Sequence, residues 1–275
     1  MSVEHVTVQG VEVPALGLGT WRAEGRDVYR AVSTALEAGY RHVDTAEAYG
    51  NEEQVGEAVA DSPVDREDVW VTTKVLPATA IDYRRTREAA VASLDRLEMD
   101  YVDLVLLHWP NPIASLEEQL AALNDLADDG AIGHVGVSNF GRRRLARARE
   151  RSDRPVLTNQ VQFHPFKTQR PLLRYCQDND VMLTAYSPLG HGGVIDDDLL
   201  VEIGAHYEKS GPQVAIRWAL QHRNVAAIPK STMPAHIRSN AAVFDFSLTE
   251  TEMDRIARES PLRTGVAWVR GRLGV

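Results

Sequence analysis

Residues 102–107 read VDLVLL, and residues 69–75 read VWVTTKV. Both are short, nearly continuous runs of apolar and β-branched side chains, the pattern of strands that are covered on both faces in a parallel sheet. Similar runs recur along the chain between amphipathic helical patterns. The eight strand candidates begin near Leu16, His42, Val69, Val102, Ile132, Leu157, Val181 and Val225. The alternation of strand and helix predicts an α/β fold.

The helical patterns and the first residues complete this prediction. Val28, Val32 and Leu36 form one apolar stripe that ends at Gly39, and a glycine commonly follows the last residue of a helix. HVTVQGVEVP, residues 5–14, predicts an N-terminal β-hairpin with a Gln-Gly turn. Eight strand–helix units in 275 residues are typical of a (β/α)8 TIM barrel.

We therefore expect residues 1–275 to form a single barrel domain with a short C-terminal tail. A doubly wound sheet is the alternative, because it also alternates strand and helix. It is disfavoured because no strand runs into a GxGxxG turn, and LGLGT at 16–20 is only a weak approximation of one.

Composition and charge narrow the function classes. The net charge of −9 argues against a nucleic-acid partner, and the arginine-rich segment 142–151 is interpreted as the solvated face of a short helix. No run of 18 apolar residues is present, so we expect no membrane association. The first residues lack a signal-peptide pattern, and the single Cys176 suits a reducing compartment, so we expect a cytoplasmic protein.

Three predicted strands each end with an ionisable side chain. Asp44 closes the second strand, Lys74 the third and His108 the fourth, and Tyr49 follows in the loop after Asp44. In a barrel these strand ends converge on one mouth. A lysine ammonium beside a tyrosine favours the phenolate and lowers the phenol pKa, while a carboxylate keeps the lysine charged.

This combination predicts acid–base chemistry on a carbonyl group. Histidine can donate a hydrogen bond to the carbonyl oxygen, and the sequence contains no HExxH metal motif, no GxSxG elbow and no Walker loop. The reducing electrons must then come from an external donor such as a nicotinamide. Two alternatives remain open: a metal-dependent barrel hydrolase using Asp44, His108 and His164, and a regulatory subunit that binds the nucleotide but turns over slowly.

Several motifs, in order, resemble the aldo-keto reductase family, particularly its shorter microbial members such as 2,5-diketogluconic acid reductases. These motifs are GLGTW (17–21), GYRHVDTAEAYGNE (39–52), TTK (72–74), LLHWP (106–110), GVSNF (136–140), NQVQFHP (159–165), YSPLG (186–190) and IPKS (228–231). The resemblance implies NAD(P)H-dependent reduction of aldehydes and ketones, with a broad substrate range. It also implies a catalytic tetrad of Asp44, Tyr49, Lys74 and His108, with Tyr49 as general acid.

The resemblance further implies how the dinucleotide binds. Ser138, Asn139 and Gln160 match the residues that hold the carboxamide, and Tyr186 matches the ring that stacks on the nicotinamide. The full set of implied cofactor contacts is Gly19, Thr20, Asp44, Ser138, Asn139, Gln160, Tyr186, Ser187, Leu189, Lys230, Ser231, Thr232, His236 and Asn240. No metal is implied.

The adenosine end departs from the family pattern. Lys230, Ser231 and Thr232 match the cluster that grips the 2′-phosphate of NADPH, but His236 stands where NADPH-preferring members have arginine. A neutral imidazole lacks the paired, charge-assisted contacts of a guanidinium. We expect NADPH to bind with a weakened preference over NADH.

The substrate pocket is implied to use Trp21, Tyr49, His108 and Trp109. Leu76 stands where many relatives have tryptophan, and the loops after the fourth and seventh strands are short. We therefore expect an open site for small-molecule carbonyl substrates, and we expect a monomer. Trp268 in the tail is a candidate to fold over the mouth.

Overall fold

The central feature of the fold is a ring of eight parallel strands, seen in a computed structural model that describes residues 4–257. An antiparallel hairpin of His5–Val8 (β1) and Val11–Pro14 (β2) precedes the ring. The ring strands are Leu18–Gly19 (β3), His42–Asp44 (β4), Trp70–Val75 (β5), Val102–Leu107 (β6), Ile132–Ser138 (β7), Val156–Gln162 (β8), Met182–Tyr186 (β9) and Val225–Ile228 (β10). Each strand pairs in parallel with the next one along the chain.

Backbone hydrogen bonds between the first and last ring strands close the barrel. The amide of Gly17 donates to the carbonyl of Ala227 at 2.9 Å, and the amide of Ala227 donates to Ala15 at 2.8 Å. Parallel bridges join Leu16 to Ala227 and Gly19 to Lys230. The predicted (β/α)8 barrel is confirmed, and the doubly wound alternative is wrong because its sheet would remain open.

Helices surround the ring, as the apolar stripes predict. Within residues 4–257 they are Gly25–Glu37 (α1), Glu52–Ala60 (α2), Tyr83–Leu97 (α3), Leu116–Asp128 (α4), Arg142–Arg151 (α5), Arg170–Asp178 (α6), Asp198–Ala205 (α7), Gly211–Leu220 (α8), Pro234–Ala241 (α9) and Glu250–Ala257 (α10). Val28, Val32 and Leu36 of α1 are buried. Gly39 follows α1 with φ +94°, a conformation that favours glycine at a helix end.

The hairpin seals the amino-terminal end of the barrel. Its turn residue Gln9 donates hydrogen bonds to the carbonyl of Val156, where β8 begins, and to Asp180, just before β9. Val8 and Val13 pack among inward-facing side chains of the strands, including Leu106. The carboxyl ends of the strands therefore remain as the open mouth.

Three further predictions concern the extent of the chain. The C-terminal tail and Trp268 lie outside the described residues, and the single-domain assignment of residues 1–275 stays a prediction. Between residues 4 and 257, no helix combines the length and the apolar character that crossing a membrane requires.

Candidate active site

The structure brings Asp44, Tyr49, Lys74 and His108 together at the mouth. Asp44 is the last residue of β4, Lys74 lies near the end of β5, and His108 directly follows β6. Tyr49 ends a short 3-10 turn, Glu47–Tyr49, that follows β4. Because neighbouring parallel strands end at the same edge, these side chains meet at one height in the barrel.

Lys74 lies at the centre of this group. Its Nζ donates to Oδ1 of Asp44 at 2.5 Å and to the carbonyl of Thr45 at 2.7 Å, and it lies 3.3 Å from the hydroxyl of Tyr49. Lys74 is completely buried and Asp44 nearly so. The Tyr49 ring meets the His108 ring edge to face, with centroids 5.8 Å apart.

The electrostatics of this group differ in one respect from the sequence-based expectation. Burial opposes the charge on Lys74, but Asp44 and Tyr49 outweigh it and raise the pKa of the amine. Burial also raises the pKa of Tyr49; Lys74 lowers it, and Asp44 raises it again. Lys74 thus acts in the expected direction, but burial outweighs it and the net pKa of Tyr49 is raised. Tyr49 holds its proton at neutral pH, as a proton donor must.

His108 is a neutral hydrogen-bonding group at neutral pH. Burial, with a smaller contribution from the Lys74 charge, lowers the pKa of its imidazole to about 3. The backbone around it is fixed, since its amide donates to Val75 and its carbonyl accepts from the side chain of Asn139 at 3.0 Å. A neutral imidazole beside the Tyr49 hydroxyl can donate one N–H to a carbonyl oxygen.

A hydrogen-bonded cluster of Ser138, Asn139, Gln160 and Tyr186 adjoins these residues. Ser138 Oγ donates to the carbonyl of Gln160 at 2.9 Å, and Tyr186 Oη donates to Oδ1 of Asn139 at 3.0 Å. Gln160 Nε2 donates to Oδ2 of Asp44 at 2.6 Å. A carboxylate only accepts hydrogen bonds, so the amide nitrogen of Gln160 must face Asp44, which leaves its oxygen free to accept from elsewhere.

One cavity of about 400 Å³ joins the two groups. Trp21 and Trp109, two of the predicted substrate-pocket residues, line it together with Leu76, and their contact with a substrate stays a prediction. The full lining is Gly19, Trp21, Asp44, Ala48, Tyr49, Leu76, His108, Trp109, Ser138, Asn139, Gln160, Gln162, Tyr186, Ser187, His191, Ile228 and Lys230. Apolar walls with a few convergent polar groups are typical of small-molecule sites.

Four lining residues were not predicted from the sequence: Ala48, Gln162, His191 and Ile228. Gln162 follows Gln160 by two positions in β8, and the alternation of side chains in a strand could have placed it on the same side. His191 lies in the loop after β9 and meets Trp21 across the mouth, with ring centroids 5.6 Å apart. No local pattern indicates that contact.

The remaining predicted cofactor residues occupy different environments. Thr20 is buried, and its hydroxyl donates to the carbonyl of Asp44, while Leu189 packs at the edge of the core. Lys230 and His236 are exposed, and Asn240 is buried on α9. Ser231 and Thr232 lie with Lys230 in the segment between β10 and α9. None of these roles is tested by the geometry, and all of them remain predictions.

Residues 15–259 match the family model described as the Aldo/keto reductase family. The chain belongs to the aldo/keto reductase family. Glyoxal reductase of Bacillus subtilis is 41% identical over 248 residues, which cover 90% of this chain and 89% of that protein.

Solved structures agree with this assignment. A crystal structure provisionally assigned as a 2,5-diketo-D-gluconic acid reductase B has a TM-score of 0.92 and 39% identity, covering 95% of this chain and 93% of that one. A Bombyx mori aldo-keto reductase in complex with NADP has a TM-score of 0.86 and 33% identity, covering 94% and 92% of the two chains. The resemblance to the aldo-keto reductase family is confirmed. The similar solved structures include one provisionally assigned as a 2,5-diketo-D-gluconic acid reductase B.

This aldo/keto reductase is therefore an oxidoreductase that acts on carbonyl groups, in a family that uses NAD(P)H. Of the histidines in the hydrolase alternative, His164 hydrogen-bonds to Gln162 and to the amide of Phe166. Residues 4–257 contain no group of three or more His, Cys, Asp or Glu side chains that could hold a metal ion. The geometry gives the hydrolase alternative no support.

Proposed function

We propose that this protein reduces small aldehydes and ketones with NADPH, and that Tyr49 is the general acid. The observation that carries the proposal is the 3.3 Å approach of Lys74 Nζ to Tyr49 Oη at a cavity that His108 also lines. A protonated phenol beside a buried ammonium can release its proton to an oxygen that becomes negatively charged.

The residues around the cavity fit a reduced dinucleotide. The free oxygen of Gln160 can accept an N–H of the carboxamide, the cluster of Ser138 and Asn139 offers further polar groups, and the ring of Tyr186 offers a stacking face. Lys230 lines the other side of the cavity, ahead of the amino terminus of α9, where phosphate groups are favoured. When bound, the reduced nicotinamide supplies the hydride that adds to the carbonyl carbon.

Each protein side chain then has one task. Tyr49 donates its proton to the carbonyl oxygen, and the Lys74 ammonium stabilises the phenolate that remains. Asp44 holds Lys74 charged and in place, and is itself held by Gln160. His108 donates a hydrogen bond that orients the carbonyl oxygen toward Tyr49.

The walls of the cavity fit an open site with a broad substrate range. Leu76, rather than a larger aromatic residue, forms one wall, and Trp109 at the rim is about half exposed. The Bacillus subtilis relative is named for glyoxal, a small dicarbonyl. Small aldehydes, α-dicarbonyls and keto sugars are therefore the substrate classes to test, with a broad range expected.

The decisive experiment measures NADPH consumption with a panel of these carbonyls, for the parent protein and for Tyr49→Phe. The variant keeps the aromatic ring but lacks the proton, so turnover should fall by at least about 100-fold while NADPH still binds. Turnover of Tyr49→Phe at the parent rate would contradict the role of Tyr49. Dinucleotide binding by the parent without turnover of any carbonyl would instead favour the regulatory alternative.

A further inference from the structure

Glu47 begins the 3-10 turn that ends at Tyr49, and its carboxylate bonds to the neighbouring loop. Its Oε2 accepts from the backbone amide of Leu76 at 2.8 Å and from the hydroxyl of Thr79 at 2.8 Å. Leu76 directly follows β5, the strand that carries Lys74. One side chain thus connects the turn of the proton donor to the loop behind the lysine.

The distance between Tyr49 and Lys74 makes this connection important. Lys74 is completely buried and held at 2.5 Å and 2.7 Å by Asp44 and Thr45, so its position is fixed. The contact to Tyr49 is 3.3 Å, just beyond the usual range for a hydrogen bond from nitrogen. A small outward movement of the tyrosine turn would therefore break the contact.

Side chains on both sides help to hold the tyrosine turn in place. It is only three residues long, with Gly50 in the left-handed region after it at φ +62°. On its far side Asn51 is fixed by bonds to Thr20, Ala23 and Thr45. Among residues 4–257, Glu47 provides the side-chain hydrogen bonds from the turn to the loop after β5.

Among residues 4–257, Glu47 has no basic partner that would suggest a different role. Its carboxylate makes no ion pair within 4.0 Å among the described residues, and its side chain is half-buried. The same link joins the segments that carry two cavity-lining residues, Ala48 and Leu76. The arrangement therefore bears on both the proton donor and one wall of the substrate cavity.

We propose that Glu47 is a positioning residue, which holds Tyr49 at the distance where Lys74 can act on it. This inference rests on the proposed role of Tyr49 as general acid. Glu47 itself does not touch the reacting atoms, and it acts through the geometry of the turn.

The test compares Glu47→Ala, Glu47→Asp and Glu47→Gln at saturating NADPH and carbonyl. Alanine removes both hydrogen bonds, and aspartate keeps the charge but is one methylene too short. Both should lower kcat by about 10-fold or more, as expected when a catalytic group is misplaced by about 1 Å. Glutamine keeps an acceptor oxygen at the same reach, so its kcat should stay within about threefold of the parent. Glu53→Ala, which removes an exposed charge six residues further on, is the matched control.

A second readout separates positioning from stability. Without the Lys74 contact the pKa of Tyr49 rises further, so the pH at which alcohol oxidation gains activity should move upward in Glu47→Ala. NADPH affinity should change by less than about twofold, because the Glu47 carboxylate bonds to Leu76 and Thr79, which are not candidate cofactor residues. If Glu47→Ala and Glu47→Asp lower only the melting temperature and leave kcat and its pH profile unchanged, the proposal is wrong.

The two proposals fail in different ways. If Tyr49→Phe keeps its activity, the general-acid assignment fails, whatever Glu47 does. If Tyr49→Phe is inactive while Glu47→Asp matches the parent in kcat and pH profile, only the role of Glu47 fails. If Glu47→Ala does not fold, Thr79→Val takes its place, because it removes one of the two hydrogen bonds of Glu47. It should lower kcat in the same direction by a smaller factor. If kcat is unchanged in both Thr79→Val and Glu47→Asp, the proposal is wrong.

Discussion

Nζ of Lys74 lies 2.5 Å from Oδ1 of Asp44, and neither side chain is exposed by more than 2%. Two opposite charges that are both removed from water depend on each other, because either one alone would be buried without a counter-charge. The pair therefore couples the stability of the barrel mouth to the candidate chemistry of Tyr49.

Asp44→Asn should be strongly destabilising. It leaves the Lys74 ammonium buried without its partner, so the free energy of unfolding should fall by about 3–5 kcal/mol. Urea denaturation measures the change. Glu88→Gln is the control, since it breaks the exposed pair with Arg84 and should cost less than about 1 kcal/mol. Equal losses in the two variants would show that burial does not determine the strength of the Asp44 pair.

The contribution of this pair should also depend on pH in a defined direction. The pKa of Lys74 is raised in the folded protein, because Asp44 and Tyr49 outweigh the opposing effect of burial. The stabilisation is then fully present below the unfolded pKa of about 10.4 and is lost as the pH rises through the folded pKa. The parent should therefore keep this contribution at neutral pH and lose it only in strong alkali. Loss of the contribution in the parent near neutral pH would contradict the ion pair.

Acid should destabilise the protein through its buried histidines. The pKa of His108 is lowered to about 3 by burial and by Lys74, and that of His164 to about 4, chiefly by burial. In the unfolded chain both titrate near 6.5, so the unfolded state binds more protons below that pH and stability falls as the pH drops. His164→Asn should reduce the slope of unfolding free energy against pH between about 6.5 and about 4.

Replacement of the exposed His5 by Gln is the control and should leave that slope unchanged. The rate of carbonyl reduction should show no acid limb near pH 6.5, because His108 does not titrate there. An acid limb that disappears in His108→Gln would show that His108 is charged in this range and would overturn the assignment.

His236→Arg should strengthen the preference for NADPH. His236 is exposed in the first turns of α9, and Arg238 is directed toward Glu37, with their charged groups 4.0 Å apart. A guanidinium at 236 would gain charge-assisted contacts to the 2′-phosphate of about 1–3 kcal/mol, which corresponds to roughly 5-fold to 150-fold in affinity. Fluorescence titration with NADPH and NADH measures the change.

Only NADPH should respond to this replacement, and Arg238→Ala should change neither affinity by more than about twofold. A parent protein that already prefers NADPH by more than about 1,000-fold would contradict the interpretation of His236. An equal gain for NADH would show that the arginine acts elsewhere than on the 2′-phosphate.

Gly56 is required for packing rather than for a turn. A Cβ at this position would lie 2.0 Å from the carbonyl oxygen of Leu97, so α2 could not remain against the end of α3. Gly56→Ala should lower the free energy of unfolding by about 3 kcal/mol, at the upper end of overpacking costs. Gly50→Ala meets no neighbour but has φ +62°, and should cost about 1 kcal/mol. Urea denaturation of both variants decides the order, and a larger loss at Gly50 would contradict it.

The strands, and the meeting of Asp44, Tyr49, Lys74 and His108 at the mouth, could be predicted from the sequence because both follow from local patterns. The apolar run 102–107 marks a strand buried on both faces, and the ionisable residue after it, His108, must then lie at the mouth. The hydrogen bond from Gln160 to Asp44 joins residues 116 positions apart, and no local pattern encodes it. The size of the burial effect on the pKa of Tyr49 could not be read from the sequence for a related reason, since burial depends on how neighbouring loops pack.

Loop conformation is the other part that the sequence did not reveal. Ser187 and His191 both have positive φ, 47° and 54°, although neither is a glycine, the residue that commonly marks such positions. In this loop the ring of His191 meets the ring of Trp21. The hydrogen bonds of Glu47 to Leu76 and Thr79 could not be predicted from the sequence either. A half-buried glutamate in a short turn has the same sequence pattern as a solvent-exposed one.

Leu76→Trp should narrow the range of accepted substrates. Leu76 lines the cavity, and its backbone amide is held by Glu47, so a larger side chain there must project into the space of about 400 Å³. For a bulky aromatic aldehyde we expect kcat/KM to fall by about 10-fold or more, the effect of losing room in a pocket. For methylglyoxal the change should stay below about threefold, because a three-carbon substrate still fits beside Tyr49 and His108. Leu76→Met, which keeps the volume, is the control and should leave both values near those of the parent. Parallel losses on both substrates would mean that the replacement disturbs the Glu47 bond instead of the cavity wall.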